Sequence, residues 1–229
     1  MRGTAINSWP GSSISCERKI HMTEIYTIGH STHTTDRFIE LLLMHEISAV
    51  CDVRSHPYSR FNPQFNREVL QEELKRNGIA YVYLGKELGP ISDDPQCYVN
   101  GKVRYDRLAK TGLFREGLAR LRQGMESYRI ALMCAEKDPI MCHRTILVCR
   151  HLRADNIKIR HILEDGSIEG NPESMTRLRR VLKLQEADLF TTPEEMIERA
   201  YDVQGEKIAF AQKDGEDSSE NGNRRSCTK

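Results

Sequence analysis

Two hydrophobic patterns take turns along this chain. Short β-rich runs recur as EIYTIGH (24–30), ISAVCDVR (47–54), IAYVYLG (79–85), RIALMCAE (129–136) and IKIRHILE (157–164), and each predicts a buried strand. Helical spacing fills the intervals. TTDRFIELLLMHE places Phe38, Leu41, Leu42 and His45 on one stripe, with Thr34 or Thr35 as cap. REVLQEELKRN follows Asn66 as cap, carries Val69, Leu70 and Leu74, and closes at Gly78. GLFREGLARLRQGMESY aligns Phe114, Leu118, Leu121 and Met125. Asp138 and Pro139 predict the cap and first turn of a helix reaching about Asp155. Two further helices are expected, one through Met175, Leu178 and Leu182, the other opening with the capping box Thr192, Pro193, Glu195. EKIAFA reads either as a continuation of that last helix or as a small edge strand.

Strand–helix alternation predicts an α/β, three-layer Rossmann-like fold: a mainly parallel sheet of about five strands with helices on both faces. Residues 22–211 are expected to form one domain. Residues 1–21 are polar and aperiodic and are read as a disordered extension, with Met22 as the functional start; 212–229 are read as a disordered tail. Residues 86–111 lack periodicity and are punctuated by Gly, Pro and Asp, the pattern of a functional loop such as a substrate lid.

Composition narrows the function classes. Of 229 residues, 38% are hydrophobic and 29% charged, an ordinary globular balance. A net charge of +1 provides no global basic field for nucleic acid, although a local patch remains open. No apolar run approaches the roughly 18 residues of a membrane span, and the N-terminus has no secretory core. Seven irregularly spaced cysteines do not form a disulfide framework, and reduced thiols in a cytoplasmic protein are expected.

The candidate chemistry gathers at strand ends, where ligands bind in parallel sheets. The first strand ends in GHST, with His30, Ser31 and His33; the second in DVRSHP, with Asp52, Arg54 and His56. The fourth ends in CAEKDPIMCHR, with Cys134, Glu136, Cys142, His143 and Arg144. Cys51 and Cys149 read as core, and Asp52 with Arg54, two apart on a strand, have a structural ion pair as their alternative reading. Cys142 is placed about one turn into a helix, where the dipole, Lys137, His143 and Arg144 favour its thiolate and Glu136 opposes it. Motifs for nucleotide loops and structural zinc are absent. A metal on Cys134, Cys142 and His143 is disfavoured because adjacent helical residues diverge by about 100°, so no metal or cofactor is required.

Together TIGHS, CDVRSHPYSRFNPQFN, YVYLGKELG, ALMCAEKDPIMCHR and HIL resemble domain-of-unknown-function family 488, from about Thr27 to Leu182, with a family-like end at VQGEKIA (203–209). The resemblance implies no established activity. It marks Gly29, His30, Ser31, Asp52, Val53, Arg54, Asn62, Pro63, Phe65, Asn66, Cys134, Glu136, Cys142, His143 and Arg144 as motif positions. A fainter similarity to rhodaneses and cysteine phosphatases rests on AVCDVR and a cysteine at a strand end; their spacing of five residues between Cys and Arg is absent.

Three functions compete. The first is an enzyme, hydrolase or transferase, acting on a phosphate-bearing, nucleotide-like substrate. Cys142, Glu136, Asp52, His30 and His143 would be its catalytic set, and Arg54, Arg60, Asn62, Asn66, Arg144 and Ser31 would bind the substrate. The second is sulfur transfer or redox sensing by Cys134 and Cys142. The third is a non-catalytic nucleic-acid-binding module built on the SHPYSRFNPQFNR loop. No membrane partner is expected.

Overall fold

The computed structural model describes Trp9, residues 24–184 and residues 191–212. The expected extension and tail therefore lie outside the described residues, apart from Trp9 and Gln212. Trp9 donates its indole N–H to the Arg120 carbonyl at 2.9 Å and stacks on Tyr128.

All five expected strands form. They are β1 (Glu24–Gly29), β2 (Ala49–Asp52) and β3 (Ala80–Tyr83), then, after a short hairpin of β4 (Tyr98–Val99) and β5 (Lys102–Val103), β6 (Ile130–Cys134) and β7 (Lys158–Ile162). A sixth sheet strand, β8 (Ile168–Gly170), pairs antiparallel on β7. Three residues without an apolar run leave β8 no signature in the pattern. The order is β3-β2-β6-β1-β7-β8, and the other four pairings are parallel. β6 thus lies between β1 and β2, although it comes about 80 residues after β2 in the chain.

Side-chain alternation divides the interior into two cores, one on each sheet face. Ala131 and Met133 of β6 join Phe38, Leu41 and Leu42 of α1 (Thr35–Met44) and Leu70 and Leu74 of α2 (Arg67–Arg76). Ile130, Leu132 and Cys134 face the opposite core. Its helices are α3 (Gly85–Leu88), α4 (Tyr105–Leu108), α5 (Gly112–Met125), α6 (Arg150–Arg153), α7 (Asn171–Val181) and α8 (Pro193–Ile208). The protein is therefore α/β with helices on both sides of a mainly parallel six-stranded sheet. No helix among the described residues is long and apolar enough to cross a membrane.

Several local expectations change. Asn66 occupies the cap position of α2, but its side chain accepts from the Ser59 N–H at 2.7 Å and not from the helix amides. Val69 points outward, 48% exposed, while Leu70 and Leu74 are buried. Residues 86–111 are not one irregular loop: α3, a 3-10 turn (Pro95–Cys97), the hairpin and α4 are anchored by buried Leu88, Cys97, Val103 and Leu108. These pieces are each too short for periodicity to register. EKIAFA serves both expected ways, as α8 ends at Ile208 and Ala211 then bridges to Lys102.

The largest correction concerns the helix expected from Asp138. Asp138 does cap, accepting from the Ile140 N–H at 3.1 Å, but only a 3-10 turn (Pro139–Met141) follows. Cys142 is extended (φ −130°, ψ 139°). A π-helix (Arg144–Cys149) then leads into α6.

Gly29 is where β1 runs against the turn after β6. The His30 N–H donates to the Cys134 carbonyl at 2.9 Å and the Ser31 N–H to the Ala135 carbonyl at 3.0 Å. A Cβ on Gly29 would overlap the Glu136 carbonyl, a backbone atom that cannot swing aside. Gly29→Ala is expected to destabilise the fold by about 2 kcal/mol or more, read as a lowered urea midpoint; an unchanged midpoint would show that the two turns are not locked together.

Candidate functional site at the carboxyl rim of the sheet

Parallel register brings the three strand ends level. Gly29 pairs with Cys134, and Asp52 with Met133. His30, Asp52 and Arg54 therefore flank the turn that carries Cys134 and Glu136. Alternation splits the assembly into two halves around that rim.

On the α1–α2 side, Asp52 is fully buried and Arg54 nearly so. Arg54 donates through Nε to Asp52 Oδ1 at 2.9 Å and through one terminal nitrogen to Oδ2 at 2.6 Å. The Arg54 backbone N–H and the Tyr81 hydroxyl also donate to that carboxylate, at 3.1 and 2.8 Å. Two further guanidinium contacts go to the Phe65 carbonyl (2.9 Å) and to His30 Nε2 (3.2 Å). His30 Nδ1 lies 2.9 Å from the Ser31 carbonyl, which can only accept, so Nδ1 carries the proton and Nε2 receives the Arg54 N–H. Burial, reinforced by the Arg54 charge, lowers the His30 pKa to about 4, and its ring stacks on Phe65. At neutral pH this half is an ion pair with a neutral imidazole. Its guanidinium is occupied by protein groups.

The second half lies on the α5–α8 side. Cys134 and Cys142 are buried, and both thiols donate to the same Glu136 oxygen, Oε2, each at 2.9 Å. Glu136 itself is exposed. Buried His143 directs Nδ1 toward the sulfurs, 3.5 Å from Cys134 and 3.9 Å from Cys142. Its Nε2 lies 3.0 Å from the Val53 carbonyl, so that nitrogen is the donor. One ligand atom from each of Cys134, Glu136, Cys142 and His143 lies within 4.8 Å of all the others.

This convergence overturns the geometric premise drawn from a continuous helix. Cys142 is extended and His143 helical, so their side chains meet instead of diverging. The expected thiolate is overturned as well. Burial, with Cys134 as neighbour, pushes the Cys142 pKa well above the usual thiol value, and Arg144 and His143 only partly offset it. Burial would raise Glu136 too, but hydrogen bonds from the two thiols outweigh it and hold the carboxyl below its usual range.

Residues 34–150, over half of the chain, match the family model described as "Domain of unknown function DUF488". The chain belongs to the DUF488 family. Searches of curated proteins and of solved structures found no match. The DUF488 match includes Asp52, Arg54, Glu136 and both cluster cysteines, while His30 and Ser31 precede it and are tied in by the backbone bonds to residues 134 and 135.

Arg144 in this DUF488 chain is fully buried. It donates to the carbonyls of Glu136 (2.6 Å) and Lys137 (3.3 Å), so it shapes the turn that presents Glu136. Its Nε also reaches Thr27 Oγ1 at 3.4 Å. From Thr27 a buried polar chain continues through His161 (2.8 Å) and Asn171 (3.3 Å) to the Tyr201 hydroxyl (3.1 Å). Sequence reasoning missed Thr27, His161, Asn171 and Tyr201. Thr27 and His161, polar inside the apolar runs TIGHS and HIL, were the available signal. Of the remaining candidates, Arg60 is exposed, with its guanidinium 4.9 Å above the ring of Phe61. Ser31, Asn62 and Asn66 are half-buried.

The pKa values of His30 and His161 are both lowered to about 4, with burial the largest cause. An unfolded histidine takes up its proton near 6.5. Between about pH 6.5 and 4 the unfolded chain therefore binds more protons, and stability falls as pH falls through that window. Each histidine contributes roughly 1–3 kcal/mol above it. The urea midpoint should drop between pH 7 and pH 5, and His161→Gln should flatten that slope; equal slopes in the two proteins would contradict a buried neutral His161.

Proposed function

We propose that this DUF488 protein is an enzyme, a hydrolase or transferase acting on a phosphate-bearing, nucleotide-like substrate at the carboxyl rim of its sheet. One observation carries the reading: Glu136 is a solvent-reaching carboxylate held in place at the strand end by two buried thiols. A proton acceptor there needs to be ionised, oriented and accessible. Glu136 meets all three conditions. Asp52 is fully enclosed by Arg54 and Tyr81 and is assigned to positioning.

Substrate recognition falls to the groups the protein leaves outward. Arg54 and Arg144 hold protein oxygens, so the anion is assigned to Arg60. Phe61, 79% exposed under that guanidinium, offers a face on which a base can stack. Asn62 and Ser31, both half-buried, are assigned to the substrate as well. His30 stiffens it through Arg54 and Phe65, and His143 fixes the two thiols. In this reading Cys142 is a buried thiol that orients Glu136, not a free thiolate nucleophile.

The two sulfurs, sharing one acceptor, also favour a second reading in which Cys134 and Cys142 form a reversible dithiol–disulfide pair. The readings separate by mutation. Glu136→Gln is expected to lower turnover of the phosphorylated substrate by about 10²–10⁴-fold with binding retained, and Phe61→Ala with Arg60→Ala to raise KM more than it lowers kcat. A panel of nucleotides and sugar phosphates, assayed by released phosphate and by transferred group, supplies the measurement. Unchanged turnover in Glu136→Gln removes the proton-transfer role. Loss of activity on oxidation, restored by dithiothreitol in the Glu136→Gln protein, favours the thiol reading instead.

A further inference from the structure

We propose that Cys134, Cys142 and His143 bind a divalent ion of borderline softness, zinc foremost, with Glu136 as a displaceable fourth ligand on the solvent side. The donor set is the one such ions select: two thiolates, an imidazole and a carboxylate oxygen. Usual bond lengths of about 2.3 Å to sulfur and about 2.0 Å to nitrogen and oxygen imply ligand-to-ligand edges of about 3.3–3.8 Å in a tetrahedron. The sulfur-to-Nδ1 separations, 3.5 and 3.9 Å, are close to those edges already. The sulfur-to-carboxylate separations, 2.9 Å each, need only a small outward turn of Glu136, the one exposed member of the set.

The surroundings are those of a metal ligand set. His143 gives its Nε2–H to the Val53 carbonyl, which fixes the tautomer and turns the Nδ1 lone pair onto the two sulfurs. The three inner donors are buried and rise from two rigid places, the end of β6 and the break before the π-helix. That break has a purpose in this reading, since it lets two consecutive residues coordinate one ion. Charge also balances. With the His143 imidazole neutral, each divalent ion entering displaces two S–H protons to solvent, so Cys134 and Cys142 become thiolates and the net charge of the cluster does not change. The buried Arg144 guanidinium beside it, whose hydrogen bonds go to carbonyls and to Thr27, continues to face the single charge of Glu136. A trivalent ion, with only two thiol protons to displace, would leave an uncompensated positive charge in this enclosed place.

The inference deepens the proposed function at the same site and rests on it only for the idea that a substrate reaches Glu136 there; once the thiol protons have left with metal entry, Glu136 is no longer held by them and can yield the fourth position to water or a substrate oxygen. The test is metal uptake by the full chain. Purified protein should carry about one zinc per chain. After chelator treatment, added Co²⁺ should give a thiolate-to-cobalt charge-transfer band and intense tetrahedral visible bands, and Zn²⁺ should release about two protons per ion at neutral pH. Cys142→Ser and His143→Ala should weaken uptake on the order of 100-fold or more, while Cys97→Ala, which removes a buried thiol outside the cluster, should not. Folded chain that takes up neither ion, or takes up Co²⁺ without charge transfer, overturns the proposal. So does metal binding without proton release, which stays decisive if the cysteine variants fail to fold. The two readings fail separately: one zinc on these ligands without turnover of any phosphorylated substrate keeps the metal centre and removes the enzyme, whereas Glu136-dependent turnover in a folded chain that takes up neither Zn²⁺ nor Co²⁺ keeps the enzyme and overturns the metal centre.

Discussion

The parallel pairing of β6 between β1 and β2 is the constraint on which the site depends. Ladder hydrogen bonds on both sides hold β6 in register, so Gly29, Cys134 and the Asp52–Met133 pair end at one level. This central position is taken by a strand that follows β1, β2 and β3 in the sequence. Two turns must then pass each other closely, which is why a residue without Cβ stands at position 29. The same register aims the Val53 carbonyl at His143, so a backbone atom of one strand orients a side chain that follows another.

Alternation along these strands explains why the rim has two chemically different halves. Asp52 and Cys134 point to opposite faces. The first half becomes a closed ion pair with a neutral imidazole, the second a thiol–carboxylate–imidazole cluster that meets solvent at Glu136. A buried ion pair is poor evidence for stability, because desolvation offsets most of its attraction. Its value is geometric. With four hydrogen bonds from the Arg54 guanidinium tying Asp52, Phe65 and His30 together, the backbone after β2 is held in one arrangement. Arg144 imposes the same kind of order on the turn after β6 through two carbonyls, and the Thr27–His161–Asn171–Tyr201 chain supports it from behind.

Dynamics and reactivity follow from this division. The rim's anchors, Asp52, Arg54, His143 and Arg144, are buried, while Glu136, Met141 and the Arg60–Phe61 pair face solvent. Freedom to move is expected at those exposed side chains, where few buried contacts hold them. Reactivity of the thiols is governed by enclosure: without compensating positive charge in the cluster, burial keeps Cys142 protonated despite neighbouring Arg144 and His143.

Hydrophobic periodicity by itself determined the α/β class, five strands, the principal helices and the residues that would gather at the strand ends, since each depends on local spacing that one segment carries alone. It also placed Cys51 and Cys149 in the core, where both are fully buried. Tertiary structure decided the rest. A three-residue edge strand and the short elements of 86–111 have too few apolar positions to show a period. Asn66 bonds to the Ser59 N–H and not to the α2 amides, a partner that the fold of the preceding turn supplies. The helix expected from Asp138 broke at Cys142 because the following six residues, Arg144–Cys149, are all buried and run as a π-helix. That break changed the chemistry most: whether two adjacent side chains diverge or converge is set by φ and ψ, and those were chosen by packing between strands far apart in sequence.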